Sequence, residues 1–377
     1  MDGSLHPPSL RVCDATTWRY AGPVEIELHA DQEAIERVVH VVVDGVSTRR
    51  IDPWLLRLTG SATGLRRTLT GLSPELADDL DACLASWRQP PPDLVTPAGV
   101  LPTATRPVVM GILNVTPDSF SDGGRAYLPS EHPRPALAAA AGLLEAGADV
   151  IDVGGESTRP GAVPVDADEE LARVLPVVRE LAAAGATVSI DTTKAVVARA
   201  ALDAGAALVN DVSAGQLDPS LLDTVAAAEV PYVLMHMQGT PATMQQKPRY
   251  LDVVAEVHRA LGTGLDALIA RGIARERVVL DPGIGFGKRV EHNLALLREL
   301  ATFTALGRPV LVGASRKSFI GQLTGDSPPD QRLEGSLAVA ALAVAEGARL
   351  LRVHDVAATV RAVRVAHAVT TPSTTLS

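Results

Sequence analysis

The strongest constraint on the fold of this chain is an alternation that begins after Pro107. Short segments rich in Val, Ile and Leu alternate with longer segments rich in Ala and Leu, almost to the C-terminus. The short segments have the length and composition of strands, and the longer ones those of helices. Strands that alternate with helices favour a parallel sheet, and strands that are apolar throughout indicate that both faces of the sheet are covered.

Eight strands are predicted in this region. They are Val108–Leu113, Val150–Val153, Val188–Ile190, Ala207–Asn210, Tyr232–Met235, Val278–Leu280, Val310–Val312 and Leu350–Val353. Eight strand–helix units over this length fit a closed barrel better than an open sheet. The sequence therefore predicts an α/β fold, a (β/α)₈ TIM barrel over residues 108–370, with a polar tail at 371–377.

The region before the barrel has a different composition. Residues 1–89 predict a small α/β-like extension, with strands at Val24–Leu28 and Val39–Val43 and helices at Gln32–Val39 and Ser73–Trp87. Ser73 followed by Pro74 is a typical helix start. Residues 90–107 contain repeated Pro and Thr, which predicts a stiff, exposed linker. No group of chemically active residues stands out in the extension, so its function stays unassigned.

Composition excludes several functional classes. The formal net charge is −10, so the chain has no general basic surface for nucleic acid. No apolar run approaches the length of a membrane span, and the first twenty residues lack the apolar stretch of a signal peptide. Cys13 and Cys83 are the only cysteines, too few for a disulfide framework or a zinc site. We expect a cytoplasmic protein.

Polar residues follow nearly every predicted strand. The strand ends carry Asn114, Asp152, Asp191, Asn210, His236, Asp281, Lys317 and His354. In a barrel of this type the carboxyl ends of the strands meet at one rim, the face that carries the active site. Residues far apart in the sequence are therefore expected to be neighbours there.

Three loops at this rim are open to more than one interpretation. Asn114–Gly124 is rich in turn-forming residues and is equally compatible with a surface turn and a functional loop. Gly154–Gly161 is either a flexible connection or a movable loop with Arg159 ready for an anion. Asp281–Lys288 fails as a Walker A loop because Pro282 replaces its first glycine and Arg289 its Ser/Thr. We expect its glycines to let the backbone pass beside a flat ligand.

The charged and polar strand ends indicate a ligand with an anionic part. Arg352 and His354 alternate along the last strand and face the same side, where they need an anion, and an oxyanion or diphosphate is favoured. Arg316 and Lys317 are either part of this site or a solvated charge pair. Strand-end carboxylates, such as that of Asp191, and amides could bind the N–H groups of a heterocycle or supply oxygen ligands to Mg²⁺. No paired-histidine spacing supports zinc.

Together these segments resemble the dihydropteroate synthase family over about residues 108–369. The matching segments are Asn114–Gly124, Gly154–Gly161, Asp191–Thr192, Asn210–Asp211, Leu234–Gly239, Asp281–Lys288, Gly313–Ser318 and Arg352–Asp355. The resemblance implies a (β/α)₈ barrel and a transferase of folate biosynthesis. Such an enzyme condenses 6-hydroxymethyl-7,8-dihydropterin diphosphate with para-aminobenzoate, requires Mg²⁺, and releases 7,8-dihydropteroate and diphosphate.

The resemblance also implies a role for each matching position. The implied pterin-binding residues are Asp191, Asn210, Met235, Asp281 and Lys317. The implied diphosphate-binding residues are Asn114, Arg352 and His354, with Asn114 also the metal ligand. The implied para-aminobenzoate-binding residues are Thr158, Arg159, Pro160, Phe286, Lys317 and Ser318. The implied catalytic residues are Asp191, Lys317, Arg352 and His354. Loops 114–124 and 156–161 would close over the substrates, sulfonamides would compete with para-aminobenzoate, and the enzyme would be a homodimer.

Two alternatives share the pterin pocket. A pterin-dependent methyltransferase would need a corrinoid partner but not Thr158, Arg159 or Ser318. A catalytically inactive paralogue would use the N-terminal extension as an interaction module.

Overall fold

The computed structural model describes residues 9–14, 24–30, 32–43, 45–52, 55–88, 91–116, 133–157 and 164–371. The chain divides into two compact units. The first comprises Met1–Pro91 and Glu299–Gly307, and the second Pro92–Arg298 and Arg308–Ser377. No helix in the described part of the chain is long and apolar enough to cross a membrane.

The first unit is an antiparallel sheet with helices. Its strands are β1 (Ser9–Asp14), β2 (Val24–His29), β3 (Val46–Asp52) and β4 (Leu55–Gly60), in the order β1-β2-β4-β3, and its helices from the N-terminal region are α1 (Gln32–Val41), α2 (Ala62–Thr70) and α3 (Pro74–Arg88). Leu58 and Leu80 are fully buried in its core, and Ala305 from the later segment joins the same cluster.

The prediction for this region was partly wrong. The strand β2 and the helix that begins at Pro74 are found, but the strand predicted at Val39–Val43 is not, because α1 continues to Val41. Ala34, Ile35 and Val38 are buried at helical spacing, so the apolar run extends the buried face of a helix. Strand β3 was missed because Ser47 to Arg50 are exposed, and no apolar alternation marks them.

The linker prediction is also corrected. Residues 94–101 form a hairpin of β5 (Leu94–Thr96) and β6 (Gly99–Leu101). Leu94 and Leu101 are register partners and are buried, whereas Val95 and Val100 point to solvent. The buried pair packs with the first residues of barrel strands, including Val108 and Leu350. The alternation of buried and exposed residues is short and lies among prolines and threonines in the sequence. The hairpin covers the amino-terminal end of the barrel.

The second unit confirms the predicted barrel. Its strands are β7 (Val108–Asn114), β8 (Val150–Gly154), β9 (Val188–Asp191), β10 (Leu208–Asp211), β11 (Tyr232–Met235), β12 (Val278–Asp281), β13 (Leu311–Val312) and β14 (Leu350–Val353). They are parallel, in the order β12-β11-β10-β9-β8-β7-β14-β13, and a bridge between Leu280 and Val310 joins the two ends of the sheet. Every predicted strand boundary agrees with the observed one to within about one residue, the ordinary uncertainty of element ends.

Helices follow the strands and, apart from α10 of the first unit, cover the barrel sheet. They are α4 (Arg134–Glu145), α5 (Ala167–Ala183), α6 (Ala195–Asp203), α7 (Ser220–Ala228), α8 (Val253–Ala270), α9 (Val290–Arg298), α10 (Ala301–Thr304, in the first unit), α11 (Ser318–Leu323), α12 (Leu333–Ala345) and α13 (Val356–Thr370). Side-chain caps fix some helix starts, since Asp166 accepts from the Glu169 amide and Asp252 from the amides of Val254 and Ala255.

Candidate active site at the carboxyl ends of the strands

A continuous row of residues crosses four neighbouring strands at the carboxyl rim. Asn114 is the register partner of Gly154, Gly154 of Asp191, and Asp191 of Asn210. Register partners on parallel strands lie side by side, so this row brings together three of the polar residues expected at the site. Gly154 lies between Asn114 and Asp191 and adds no side chain to the row.

The side chain of Arg352 joins two carboxylates at the centre of this rim. Its Nε donates to Asp152 Oδ2 and its Nη2 to Asp191 Oδ2, each at 2.5 Å. The position of Arg352 in the sequence predicts an anionic partner, with an oxyanion or a diphosphate favoured. Within the protein the anions are these two carboxylates, which satisfy a half-buried guanidinium without a ligand.

Asp152 lies one layer deeper than the row and is fully buried. Its Oδ2 also accepts a hydrogen bond from Asn210 Nδ2 at 3.0 Å. Its Oδ1 has no hydrogen-bond partner among the described residues. Asp152 therefore links a pterin-site candidate, Asn210, to a diphosphate-site candidate, Arg352.

Burial controls the ionisation of Asp191. It raises the pKa of this carboxyl to about 7, although the positive charge of Arg352 opposes the shift. Asp152 adds a further upward shift because it is a nearby negative charge. The pKa of Asp191 therefore lies near neutral pH, as expected of a group that responds to charge in the site.

Asp281 and Lys317 are opposite charges at the rim that influence each other's pKa. Asp281 ends β12 opposite Met235 of β11, and its Oδ1 accepts from the Gly283 amide at 2.7 Å. Burial raises the pKa of Asp281, and Lys317 is the charge that opposes this most strongly. Burial in turn lowers the pKa of Lys317 to about 8. Met235 is buried beside this pair.

Lys317 also contacts Phe286. Its Nζ lies 4.4 Å from the centre of the Phe286 ring, within the range of a cation–π interaction, and donates to the Ile284 carbonyl. Ser318 is the next residue, the first of α11, and is exposed. The site candidates Phe286 and Lys317 are therefore in contact, and Ser318 lies beside them in the chain.

The remaining charges near the last strand divide into two groups. His354 follows β14, and its Nδ1 and backbone amide lie 3.1 and 3.2 Å from Ser315 Oγ. Arg316 donates to both carboxylate oxygens of Asp355, at 2.9 and 2.5 Å. The adjacent cations Arg316 and Lys317, left open between a site role and a solvated pair, therefore have different partners: Asp355 for Arg316 and the site candidate Phe286 for Lys317.

The glycines of the 281–288 segment serve close protein contacts. A side-chain Cβ at Gly283 would lie 1.9 Å from the His236 carbonyl oxygen, and one at Gly287 would lie 2.5 Å from the Gln238 carbonyl oxygen. Both residues have positive φ, 68° and 62°. These two glycines therefore let the segment lie against the loop after β11. The expectation that the segment passes beside a flat ligand stays a prediction.

Two lysine-centred contacts near the rim were not predicted. Lys288 is only 3% exposed and lies between the loops after β11 and β12. Lys194 donates to Glu156 and to the fully buried Glu170, below the segment that follows β8. In the sequence Lys288 drew attention only as part of a failed Walker A motif, and nothing there distinguishes Lys194 or Glu170 from surface charges.

Part of the expected site cannot be compared with the structure. Thr158, Arg159 and Pro160 lie outside the described residues, as do positions 117–124 of the first loop. Within the described ranges, no three His, Cys, Asp or Glu residues are grouped so that they could hold a metal ion.

Comparison with known proteins agrees with this geometry. Residues 110–354 match the family described as pterin binding enzyme. The dihydropteroate synthase of Mycobacterium leprae (strain TN) is 50% identical over 263 residues, which cover 68% of this chain and 91% of that protein.

Solved structures extend the similarity to the fold. The Yersinia pestis dihydropteroate synthase, solved in a sulfonamide drug complex, has 46% identity and a TM-score of 0.69, covering 74% of this chain and 99% of that one. The Xanthomonas albilineans dihydropteroate synthase in complex with 7,8-dihydropteroate has 48% identity and a TM-score of 0.67, covering 75% and 100%.

Proposed function

This chain belongs to the dihydropteroate synthases of the pterin-binding enzyme family, and we propose that it joins 6-hydroxymethyl-7,8-dihydropterin diphosphate to para-aminobenzoate. The products are 7,8-dihydropteroate and diphosphate. The observation that supports this best is the convergence of Asp191, Asn210, Asp281 and Arg352 on one rim, since together they offer acceptors for a pterin and a cation for a diphosphate.

Pterin binding is assigned to Asp191, Asn210, Asp281 and Lys317, with Met235 beneath the ring. A pterin presents several N–H donors on one edge, which suit carboxylate and amide oxygens, and ring acceptors that suit an ammonium group. All four polar residues are buried or half-buried. A ligand that lacks a matching donor leaves a buried acceptor without a partner, which can reject an analogue by roughly 10⁴-fold.

Diphosphate binding is assigned to Arg352, His354 and Asn114. Arg352 binds Asp152 through Nε and Asp191 through Nη2. Its Nε can therefore stay on Asp152 while its terminal nitrogens bind a phosphate oxygen. Mg²⁺ commonly takes one or two protein oxygens and completes its shell with water and substrate phosphates. The amide oxygen of Asn114 fits that pattern, and a bound Mg²⁺ would neutralise charge on the leaving diphosphate.

The reaction breaks the bond between the pterin methylene carbon and the ester oxygen that links it to the diphosphate. Diphosphate leaves with the bonding electrons. Arg352 and His354 stabilise the charge on the leaving group. Positive charge develops on the methylene carbon, where the Asp191 carboxylate stabilises it. The amine nitrogen of para-aminobenzoate then attacks this carbon and loses one proton to solvent. Holding both partners in place can contribute on the order of 7–11 kcal/mol.

Binding of para-aminobenzoate is assigned to Phe286, Lys317 and Ser318 together with Thr158, Arg159 and Pro160. The contact between Lys317 and Phe286 gives a surface that is aromatic on one side and cationic on the other, which suits an aromatic carboxylate. Sulfonamides imitate para-aminobenzoate and would compete for this position. We place the enzyme in the cytoplasm and expect a homodimer.

The decisive experiment is a synthase assay on the full chain. Purified protein is incubated with both substrates and Mg²⁺, and dihydropteroate and diphosphate are quantified. We expect equal amounts of the two products and loss of both when Mg²⁺ is chelated. Absence of product at high enzyme concentration, or methyl transfer from methyltetrahydrofolate instead, would overturn the proposal.

A further inference from the structure

Lys288 is a buried lysine whose ammonium group is surrounded by acceptors. Its Nζ lies 3.1 Å from His236 Nδ1 and donates to the carbonyl oxygens of His236 and Phe286 at 3.2 and 3.0 Å. Two of these acceptors belong to the residue after β11 and one to the segment after β12. One side chain thus joins two adjacent loops of the rim.

The three acceptors match the three donors of a protonated lysine. Burial and the positive charge of Lys288 lower the pKa of His236 to about 3, so the imidazole is neutral. Since Lys288 donates to Nδ1, the proton of the neutral ring lies on Nε2. This arrangement fixes both the tautomer and the orientation of His236.

We propose that Lys288 is a positioning residue for the pterin: its ammonium group holds the segment 281–287 against His236 and supplies positive charge that keeps Asp281 in its carboxylate form. This inference rests on the proposed function, which assigns Asp281 to pterin binding. Asp281 must be ionised to accept hydrogen bonds with both oxygens.

The path from Lys288 to Asp281 is short. Gly283 donates its amide to Asp281 Oδ1, and a Cβ at Gly283 would lie 3.3 Å from Lys288 Nζ. The ammonium group is therefore directly behind the residue that orients Asp281. Removal of Lys288 would loosen the contact of this segment with His236 and remove a positive charge near the carboxylate.

Other charged groups among the described residues also act on this pair. Lys317 and Arg352 also lower the pKa of Asp281, and the charge of Lys288 adds to the lowering of the pKa of His292 on α9. Lys317 is engaged with Ile284 and Phe286, and Arg352 with Asp152 and Asp191. Burial lowers the pKa of Lys288 itself to about 7, against the opposing charge of Asp281. Its charge is thus fully present only on the acidic side of neutrality.

The test is a pH series of pterin binding to the full-length protein. Binding of 6-hydroxymethyl-7,8-dihydropterin is measured by calorimetry between about pH 5 and about pH 8 for the native chain, Lys288→Met and Lys247→Met. Lys247 is exposed and provides the matched control. We expect Lys288→Met to bind the pterin about tenfold more weakly near pH 7. As the pH is lowered, the variant should lose affinity at a higher pH than the native chain does. Lys247→Met should follow the native curve.

A purely structural role for Lys288 predicts a different result. It would weaken binding by the same factor at every pH, and that outcome or an unchanged affinity would overturn the inference. Thermal unfolding checks that the variant is folded. If Lys288→Met is not, Lys288→Gln, whose amide keeps two N–H donors but carries no charge, is subject to the same criterion. If the native chain itself does not bind the pterin, the proposed function fails instead.

Discussion

Arg352 Nε lies 2.5 Å from the Oδ2 of Asp152, a residue 200 positions earlier in the chain. Asp152 is fully buried, and the same oxygen accepts from Asn210. The pair joins strands β8 and β14, which lie on either side of β7 in the sheet. The contact with Asp152 fixes Nε of Arg352, while Nη2 of the same guanidinium binds Asp191.

Substitution of Arg352 by Met should destabilise the protein strongly. Asp152 would lose its charged partner in a buried site, and removal of one member of such a pair costs about 3–5 kcal/mol. Urea unfolding of Arg352→Met measures this. The double variant Arg352→Met, Asp152→Asn should recover part of the loss, because position 152 then carries no unpaired charge. A loss below about 1 kcal/mol, the range of surface ion pairs, would contradict this role of the pair.

The activity should have a narrow optimum in pH. As pH falls through about 7, Asp191 becomes protonated and no longer stabilises positive charge. As pH rises through about 8, Lys317 loses its proton and its charge. We expect a bell-shaped profile of kcat/KM with limbs near these values. Asp191→Asn should lose most activity and the acidic limb together; an acidic limb that persists in this variant would assign it to another group.

Asp281→Asn should weaken pterin binding. The neutral amide offers one acceptor in place of two, and loss of a hydrogen bond to a charged group costs about 1.5–3 kcal/mol, or about 10- to 100-fold in affinity. Calorimetry with the pterin measures the change. Asp266→Asn, on the exposed face of α8, is the control and should bind normally. Unchanged pterin affinity in Asp281→Asn would refute its assignment.

Gly283→Ala should be far more harmful than Gly272→Ala. Both glycines have positive φ, 68° and 89°, so each substitution incurs about 1–2 kcal/mol of backbone strain. Only at Gly283 would the new methyl group also collide with the His236 carbonyl, whereas nothing lies within 4 Å at Gly272. We expect loss of pterin binding and a larger drop in unfolding free energy in Gly283→Ala. Equal effects would show that the close contact has no energetic weight.

The barrel could be predicted from the sequence because its strands carry their own signal. Val150–Gly154 and Val278–Asp281 are short, mostly apolar and buried throughout, and each ends in a polar group or a turn. The first unit has weaker signals. Strand β3 is held mainly by its hydrogen bonds to β4, and the segment 299–307 joins that unit from a distant part of the chain. Such contacts between distant parts of the chain form only on folding and produce no recognisable pattern in the local sequence.

The candidate site was predicted as a set of residues but not as a set of contacts. Strand-end positions were enough to bring Asp191, Asn210 and Asp281 to one rim. The sequence could not show that Asp152 would neutralise Arg352, or that Lys288 would be buried among carbonyls, because burial of a charge depends on which side chains face it in three dimensions.

The hairpin of β5 and β6 sets where an isolated catalytic fragment must begin. Leu94 and Leu101 cover the first residues of the barrel strands, so a polypeptide started at Val108 would leave those residues open to water and prone to self-association. A polypeptide started at Pro92 keeps this cover. An N-terminal truncation for biochemical work therefore requires a cut on the N-terminal side of the hairpin, and it still retains residues 299–307 of the first unit.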